Sequence, residues 1–529
     1  MNRPPWQHQL ASRLKDLPKI RPTFAEAAKQ VRNRLRRFSA QSIVRHAMIF
    51  LHRESGKPTL EEMRTWPWVT LLIVKLVLED ETIELDRGET CAPEVFDRCR
   101  QTIWDAQGAS DRKESSPGGV YLMVRAMMQA QLPFQKSISW DFIRWPALIA
   151  RLAPDHPSRR LFVERLGIEP DSFLCLCYAA YVPVLNGSHA MGIDSFAPLR
   201  RRFGIDVDRF FDEFARGLIG LRAELLRQRA TRRAAGEQAR SRRELNEFPW
   251  LANYPLLRLP DGRFEVWHQA VFARGMEEGV HRRLSERSGG YASHFSKVFE
   301  SYVLELVDEA CVRYIGEAEY KRALSDDVSA VEAIITADDT NVFIESKLTA
   351  YSEKVVVSNR APVVWQGLKR VREAMQQAWL VGSRLQVGPT PDWECARVAE
   401  DFLIVVTSQP VSCATGEHFR RMFKHDVFDP EMLASRNAKA PTAEHLKRLP
   451  LKNVVIASID EFEHLMGGVR DGRIQLVPFL REVAAANADP LTSVMFLDQL
   501  IAKKASGGSP PFVIEQARER AEATILALL

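Results

Sequence analysis

The chain has few of the features that mark disulfide-stabilised, secreted or membrane-spanning proteins. It contains seven cysteines in 529 residues, which are too few and too irregularly spaced for a disulfide framework. The first ten residues lack the apolar core of a signal peptide, and the apolar run VTLLIVKLVL is too short to cross a bilayer and contains Lys75. We therefore expect a cytoplasmic protein that does not enter a membrane.

Sequence signatures of several enzyme classes are also missing. We find no Walker phosphate loop, no dinucleotide-binding glycine fingerprint, no nucleophile elbow and no cysteine pairs with zinc-site spacing. Cys175 and Cys177 stand close together in FLCLCYAAY, but no second pair follows them, so we interpret them as buried structural thiols.

The composition is that of a folded globular protein with more than one domain. Apolar residues make up 46% of the chain and charged residues 27%, whereas disorder would need fewer apolar residues and a larger net charge. A length of 529 residues exceeds what one hydrophobic core usually organises. The net charge of +5 is compatible with a nucleic-acid partner, although it does not require one.

Residues 1–250 contain helix-like patterns and clustered arginines. Eight arginines lie between Arg222 and Arg243, against two glutamates. Such clusters can bind phosphates, and the alternative is an ordinary solvated helix face. The candidate nucleic-acid-binding residues are Arg32, Arg34, Arg36, Arg37, Arg229, Arg232 and Arg233.

At about residue 250 the sequence changes from helix-like patterns to a mixture of strand and helix patterns. NYPLLRLPDGRFEVWH predicts a hairpin that turns at Asp261–Gly262, and HFSKVFESYVLELVDEACVRYI predicts an amphipathic helix. The short apolar runs FLIVVTS and NVVIAS predict buried strands that alternate with helices, as in an α/β core. We therefore divide the chain into a basic helical region, a hairpin with a connecting helix, an α/β core and a helical tail, with the boundaries 1–250, 251–290, 291–480 and 481–529.

The stretch VEAIITADDTNVFIESK predicts two strands joined by a polar turn. We expect Ala337 to pair with Val342 across this hairpin. That register places Glu332 opposite Lys347, and Glu345 shares their face because side chains alternate along a strand. Two carboxylates and an amine would then converge.

Charges that converge in apolar strands are costly unless something compensates them. A bound divalent cation would do so, because Mg²⁺ and similar hard cations take carboxylate oxygens and stabilise charge on a phosphoryl group. A structural pair of Lys347 with a glutamate is the alternative. If a bulge moves Glu332 to the other face, Asp327 becomes the substitute ligand.

The order of charged residues resembles the PD-(D/E)xK nuclease superfamily, of the stand-alone kind found in bacterial anti-phage defence loci. Glu300 lies on the amphipathic helix, an acid lies on the next strand, and Glu-x-Lys ends the strand after it. The resemblance covers about residues 255–372, and the later strands to about 460 fit the same core. It implies a multi-domain α and α/β protein, in which the helical N-terminal region precedes a PD-(D/E)xK-like core with a central mixed sheet.

Carried over residue by residue, the resemblance implies that Glu332 and Glu345 bind Mg²⁺ or Mn²⁺, with the carbonyl of Ser346 as a further ligand. Lys347 would position the attacking water. The sequence departs from the superfamily at one point, because Glu332 stands where an aspartate is usual and is one methylene longer.

Other positions match supporting residues of the superfamily. Glu300 matches an additional metal-linked acid, while Gln366 and Lys369 match polar helix positions that support the site or touch the phosphate backbone; an ordinary solvated helix face is as good an interpretation of those two. The resemblance implies a nuclease with DNA as its usual substrate, and RNA, including tRNA, stays open. A regulatory protein or a homo-oligomer is a further partner to consider.

Two rival interpretations remain open. Arg45-His46 and His52 fit the loose spacing of HEPN ribonucleases, which cleave RNA without a metal, and Arg420 with His425 fits it too. Chance matches to this pattern are common in an arginine-rich chain. The second rival is a protein that binds nucleic acid without cutting it.

Overall fold

The structure of the chain is a computed structural model that describes residues 22–53, 67–107, 117–131, 134, 140–237, 242–247, 250–285, 290–324, 331–337, 339–349, 353–387, 400–423, 449–489, 492–505 and 509–528. Its α-helices within those ranges are α1 Phe24–Leu35, α2 Ala40–Leu51, α3 Pro67–Leu78, α4 Pro93–Gln107, α5 Pro117–Gln131, α6 Arg144–Ala150, α7 Pro157–Leu166, α8 Pro170–Leu185, α9 Ala197–Phe203, α10 Asp206–Phe214, α11 Leu218–Ala234, α12 Gln269–Ser285, α13 Tyr291–Glu309, α14 Glu317–Leu324, α15 Glu353–Val356, α16 Ala361–Gly367, α17 Lys369–Val387, α18 Gly416–Met422, α19 Ile459–Arg470, α20 Leu476–Ala488, α21 Asp498–Lys504 and α22 Phe512–Leu526. Its strands are β1 Ala190–Met191, β2 Ala215–Arg216, β3 Leu256–Arg258, β4 Phe264–Val266, β5 Tyr314–Gly316, β6 Ala333–Ala337, β7 Thr340–Lys347, β8 Glu400–Thr407 and β9 Val454–Ser458. The expected mixture of α and α/β architecture is present.

The chain forms two compact units, and each is made from two stretches of sequence. The first unit comprises residues 1–114 and 216–249, and the second comprises 115–215 and 250–529. The predicted helical region of residues 1–250 is thus divided between the units. The reason lies in packing, since Trp145 and Phe173 belong to the same hydrophobic core as Phe299 and Ile344.

The first unit is a helical assembly. Thr23 begins α1 as a capping box, in which its hydroxyl accepts from the N–H of Glu26 and the Glu26 carboxylate accepts in return. Lys75 is buried in the apolar helix α3 and forms ion pairs with Glu244 and Glu247. This pairing explains why a lysine is tolerated inside that apolar run.

The predicted hairpin near residue 261 is confirmed in the second unit. Strands β3 and β4 are antiparallel, with Leu257 opposite Glu265, and β1 pairs with the other edge of β4. Gly262 has φ of 82°, a conformation that glycine adopts without steric cost, and this allows the tight turn.

A five-stranded sheet with the order β5-β6-β7-β8-β9 dominates the second unit. β6 runs antiparallel to its neighbours β5 and β7, whereas β8 and β9 run parallel to β7, so the sheet is mixed. The runs FLIVVTS and NVVIAS form β8 and β9 as predicted. Helix α13 precedes the sheet, and α16 and α17 cross from β7 to β8.

The helices beside this sheet follow the apolar pattern of the sequence, with one difference. In α13 the predicted core positions from Phe295 to Leu306 are buried. The apolar spacing of WQGLKRVREAMQQAWLV predicts one helix, but the structure has two, α16 and α17, that meet at Leu368. Leu368 itself is buried, so the break does not expose this apolar position.

A buried arginine joins four helices of the second unit. The Arg144 guanidinium on α6 forms ion pairs with Glu277 on α12, with Asp460 at 2.5 Å and with Glu463 at 2.5 Å. Tyr302 on α13 donates its hydroxyl hydrogen bond to Glu463. Burial alone would lower the pKa of Arg144, but these three acids hold it well above its usual value.

Two further expectations concern membranes and cysteines. Among the residues that the structure describes, no single helix combines the length and apolar content needed to cross a membrane; α7 and α8 meet those criteria only as a pair, bent by 56°. Cys175 and Cys177 are buried thiols of α8, as predicted, and burial raises the pKa of Cys175 to about 11.

Arg144→Ala should destabilise the chain by about 3–5 kcal/mol, because it removes the buried guanidinium that pairs with Glu463 and leaves Arg274 to compensate Glu277 and Asp460. Urea unfolding followed by circular dichroism would measure the change. Arg151→Ala is the matched control, because the Arg151–Glu305 ion pair at 2.5 Å is partly exposed and its loss should cost less than about 1 kcal/mol. Equal effects of the two substitutions would contradict the structural role of Arg144.

Candidate active site

The candidate site lies where the central strand β7 ends. Glu345 and Lys347 are the third-last and last residues of β7, and they share one face of the strand. Because β7, β8 and β9 are parallel, Lys347 lies level with Thr407 and Ser458 at the carboxyl ends of these strands. The Glu345 side chain is only 2% exposed, and the Lys347 ammonium group donates a hydrogen bond to its carboxylate.

Glu332 approaches this strand end from the neighbouring strand. It directly precedes β6, and its N–H donates to the carbonyl of Ile344 at 3.0 Å. Its carboxylate accepts from the Ser346 N–H at 2.7 Å and from the Ser346 hydroxyl at 2.9 Å. The Glu332 side chain is therefore fixed against the last residues of β7.

The predicted register of this hairpin was wrong by two residues. Ala337 pairs with Thr340 and not with Val342, because only residues 338 and 339 connect the strands. The ladder ends where Ala333 lies opposite Ile344, and the Glu332 N–H bonds to the carbonyl of that same Ile344, so two consecutive residues face one residue of β7, as in a β-bulge. The Glu332 carboxylate nevertheless comes within reach of Glu345, so the two acids meet near the end of β7.

The two carboxyl groups, Glu332 and Glu345, come within hydrogen-bonding reach of each other. Burial raises the pKa of Glu345 well above its usual range, and the neighbouring Glu332 carboxylate raises it further, while the Lys347 ammonium opposes both effects. Glu345 therefore keeps its proton to a higher pH than an ordinary glutamate.

Glu300 on α13 also faces this cluster. It is about half-buried, and burial together with the charges of Glu332 and Glu317 raises its pKa, while Lys347 opposes the shift. The predicted convergence of Glu300 with the strand residues is consistent with this geometry. Glu317, at the start of α14, was missed by the sequence reasoning because an acid in the first turn of a helix is unremarkable.

Gln366 and Lys369 lie on α16 and α17, two helices between β7 and β8. Gly382, near the end of α17, lies beside Asp401 at the start of β8. The Gln366 and Lys369 side chains are exposed, and neither hydrogen-bonds to the described carboxylates of the site; Lys369 pairs with Glu373 at 3.4 Å.

The donor set limits what this site could bind. Within the described residues, no group of three or more His, Cys, Asp or Glu side chains is arranged to hold a metal ion. Glu332 and Glu345 bring two carboxylates together, and oxygen ligands of this type are those that Mg²⁺ and Mn²⁺ accept. Asp327, the substitute ligand, lies outside the described residues.

The residues of the rival ribonuclease pattern lie on α2 and α18. Arg45 is exposed, and His52 ends α2 as its C-terminal cap. His46 contacts the carbonyl of Cys91 at 2.6 Å through Nε2. Arg420 pairs with Glu417 at 2.8 Å, and His425 lies outside the described residues. Nothing in this arrangement distinguishes a catalytic pair from a structural one.

Several of the candidate nucleic-acid-binding arginines make contacts within the first unit. Arg36 pairs with Asp80 at 3.3 Å, Arg37 pairs with Glu89 at 3.6 Å, and Arg229 donates to the carbonyl of Glu79 at 3.3 Å. Arg232 forms an ion pair with Glu247, and Arg32 is only partly exposed. Arg34 and Arg233 are exposed on α1 and α11.

Comparisons with known proteins give no relative for this chain. No protein-family model matches it, and neither the curated proteins nor the solved structures include a match. The interpretation of the site therefore depends on its own residues.

The metal-free protein should become less stable as the pH rises, because Glu345 then loses its proton. A raised pKa means that the folded chain binds this proton more tightly than the unfolded chain, so the stabilisation is full at acidic pH and is lost as the pH rises through the raised pKa. Glu345→Gln keeps a hydrogen-bond donor beside Glu332 and cannot ionise. Between about pH 5 and about pH 9, the melting temperature in EDTA should therefore fall more for the wild type than for Glu345→Gln.

Glu319→Gln is the matched control, because Glu319 is an exposed glutamate of α14. Its melting temperature should equal that of the wild type at every pH. If the melting temperatures of the wild type and Glu345→Gln change in parallel across this range, the pKa of Glu345 is not raised in the folded chain.

Proposed function

We propose that this chain is a metal-dependent nuclease that hydrolyses phosphodiester bonds in nucleic acid. The observation that carries the proposal is the convergence of Glu332, Glu345 and Lys347 at the end of the central strand β7. Two neighbouring carboxylates with a single ammonium group between them and solvent are an arrangement that functional sites favour, because it shifts the pKa of a carboxyl group and leaves room for a cation.

The order of the elements supports the same proposal. Helix α13 carries Glu300, three antiparallel strands follow, and Glu-x-Lys ends the third of them before the chain crosses to a parallel strand. A mixed sheet with its acids in this order is what the resemblance to the PD-(D/E)xK superfamily implies.

The residues of the site fit a hard divalent cation. Glu332 and Glu345 would bind Mg²⁺ or Mn²⁺, and the carbonyl of Ser346 would complete the protein ligands. Such a cation supplies Lewis acidity at a phosphoryl oxygen and stabilises the negative charge that develops during hydrolysis. Ser346 also holds the Glu332 carboxylate through two hydrogen bonds, so one residue would both orient a ligand and act as one.

Lys347 is suited to orient the attacking water. Its ammonium group contacts Glu345 and is partly exposed, so it is reachable from solvent while its position is fixed. A water held by Lys347 would lie beside the carboxylate pair, in position for in-line attack on a bound phosphate. Glu300, which has no hydrogen-bond partner in the described structure, could accept the proton released by that water or help to bind a cation.

The proposed substrate is a nucleic acid, and both DNA and RNA are considered. DNA is the substrate that the resemblance implies, and RNA, including tRNA, is the alternative. Among the exposed arginines of the first unit, Arg34 and Arg233 are the proposed backbone contacts, because guanidinium groups bind phosphates in a geometry that does not depend on sequence.

The test is cleavage of duplex DNA, single-stranded DNA and tRNA with Mg²⁺ or Mn²⁺. Glu345→Gln and Lys347→Ala should each reduce the cleavage rate by at least about 100-fold, because each removes a group that acts at the reacting phosphate. EDTA should abolish cleavage by the wild type. Glu319→Gln and Lys452→Ala, which change exposed residues outside the site, should cut at the wild-type rate.

Two results would contradict the proposal in different ways. Cleavage that survives EDTA and both site substitutions, and that is lost in His52→Ala, would favour the metal-independent ribonuclease. Binding of nucleic acid without cleavage by any variant, and with no effect of Glu345→Gln or added metal, would favour a binding protein.

A further inference from the structure

Helix α14 holds the chain next to Glu332 at three points. The Tyr320 hydroxyl donates to the carbonyl of Val331 at 2.7 Å and accepts from the N–H of the same residue at 2.5 Å. The N–H of Glu317 donates to the carbonyl of Glu332 at 3.2 Å. We call Glu317, Tyr320, Val331 and Glu332, with these three hydrogen bonds, the α14 clamp.

The clamp acts on backbone that lies just before β6, where the Glu332 N–H bonds to the Ile344 carbonyl of β7 and Val331 is held by Tyr320. Val331 and Glu332 precede β6, whose first residue is Ala333. One hydroxyl satisfies both polar groups of Val331, which is a substitute for the two hydrogen bonds of a strand partner. Tyr320 is fully buried, and burial raises the pKa of its phenol, so the group remains protonated and able to donate.

The position of Glu332 needs such a restraint. Its carboxylate lies within reach of the Glu345 carboxylate, and like charges at this separation repel each other. The two hydrogen bonds from Ser346 hold the end of the side chain, but they can form only if the backbone at residue 332 remains in place. A freely moving backbone would let the Glu332 side chain turn towards solvent.

We propose that Tyr320 is a positioning residue of the metal site, which fixes Val331 so that the Glu332 carboxylate stays beside Glu345. This inference rests on the proposed function, since it concerns the geometry of the same two ligands. Tyr320 touches neither substrate nor reacting atoms, and it acts through its hydrogen bonds to the backbone of Val331.

The experiment is titration of the full chain with Mn²⁺ by calorimetry, in the absence of nucleic acid. Tyr320→Phe keeps the buried ring and removes only the hydroxyl. It should weaken Mn²⁺ binding by about 10- to 100-fold, the usual range for removal of a group that orients a metal ligand. Tyr314→Phe, on the neighbouring strand β5, is the matched control, because the Tyr314 hydroxyl contacts Asp308 at 3.4 Å and not the clamp.

A second pair of variants tests the clamp without changing the core. Glu317 is the first residue of α14, a position where proline is tolerated in helices. Glu317→Pro removes the N–H that donates to Glu332, and Glu317→Ala removes the same side chain but keeps the N–H. Mn²⁺ binding should therefore be weaker in Glu317→Pro than in Glu317→Ala.

Cleavage assays separate a positioning role from a general loss of structure. In Tyr320→Phe, the Mn²⁺ concentration for half-maximal cleavage should rise, and excess Mn²⁺ should restore much of the wild-type rate. Excess Mn²⁺ should not restore Glu345→Gln, which lacks a ligand.

The outcomes distinguish this inference from the function on which it rests. Wild-type Mn²⁺ affinity in both Tyr320→Phe and Glu317→Pro would overturn the role of the clamp and leave the proposed function intact. Absence of Mn²⁺ binding in the wild type, or binding that Glu345→Gln does not weaken, would overturn the proposed function and the clamp together.

Discussion

The central position of β7 is the constraint on which the candidate site depends. β7 has a strand on each side, and its residues from Thr340 to Ser346 are buried. The Glu345 side chain, near the end of this strand, is shielded from bulk water, so neighbouring groups must compensate its charge. Glu345 and Lys347 lie on β7, and Glu332 is hydrogen-bonded to Ser346 of the same strand, so the positions of all three depend on β7.

The second unit compensates buried charge in two different ways. Around Arg144, three acids from distant parts of the chain share two guanidinium groups, those of Arg144 and Arg274. At the end of β7, Lys347 is the one described cation that contacts Glu345, and the Glu332 carboxylate lies within reach of the same group. The second arrangement has one cation for two neighbouring carboxylates and would gain from an additional positive charge.

The sequence predicted the type and order of the elements around the site better than their pairing. Alternation and helical periodicity are local properties, so β8, β9 and the buried face of α13 could be read directly. The register of β6 with β7 depends on how many residues the turn uses, and four turn-prone residues did not reveal that two suffice. Tyr320 and the division into units depend on contacts between distant segments, which no short pattern encodes.

The two proposed metal ligands lie on adjacent strands of one hairpin, and this has a consequence for how the site forms during folding. Hairpin contacts are close in sequence and form rapidly, whereas the parallel pairing of β7 with β8 must wait for a long crossover through α16 and α17. The ligands of the cation can therefore meet before the sheet is complete. A metal ion captured at that stage would stabilise the hairpin and favour the later docking of β8, so that cation binding and folding of the core would be thermodynamically linked.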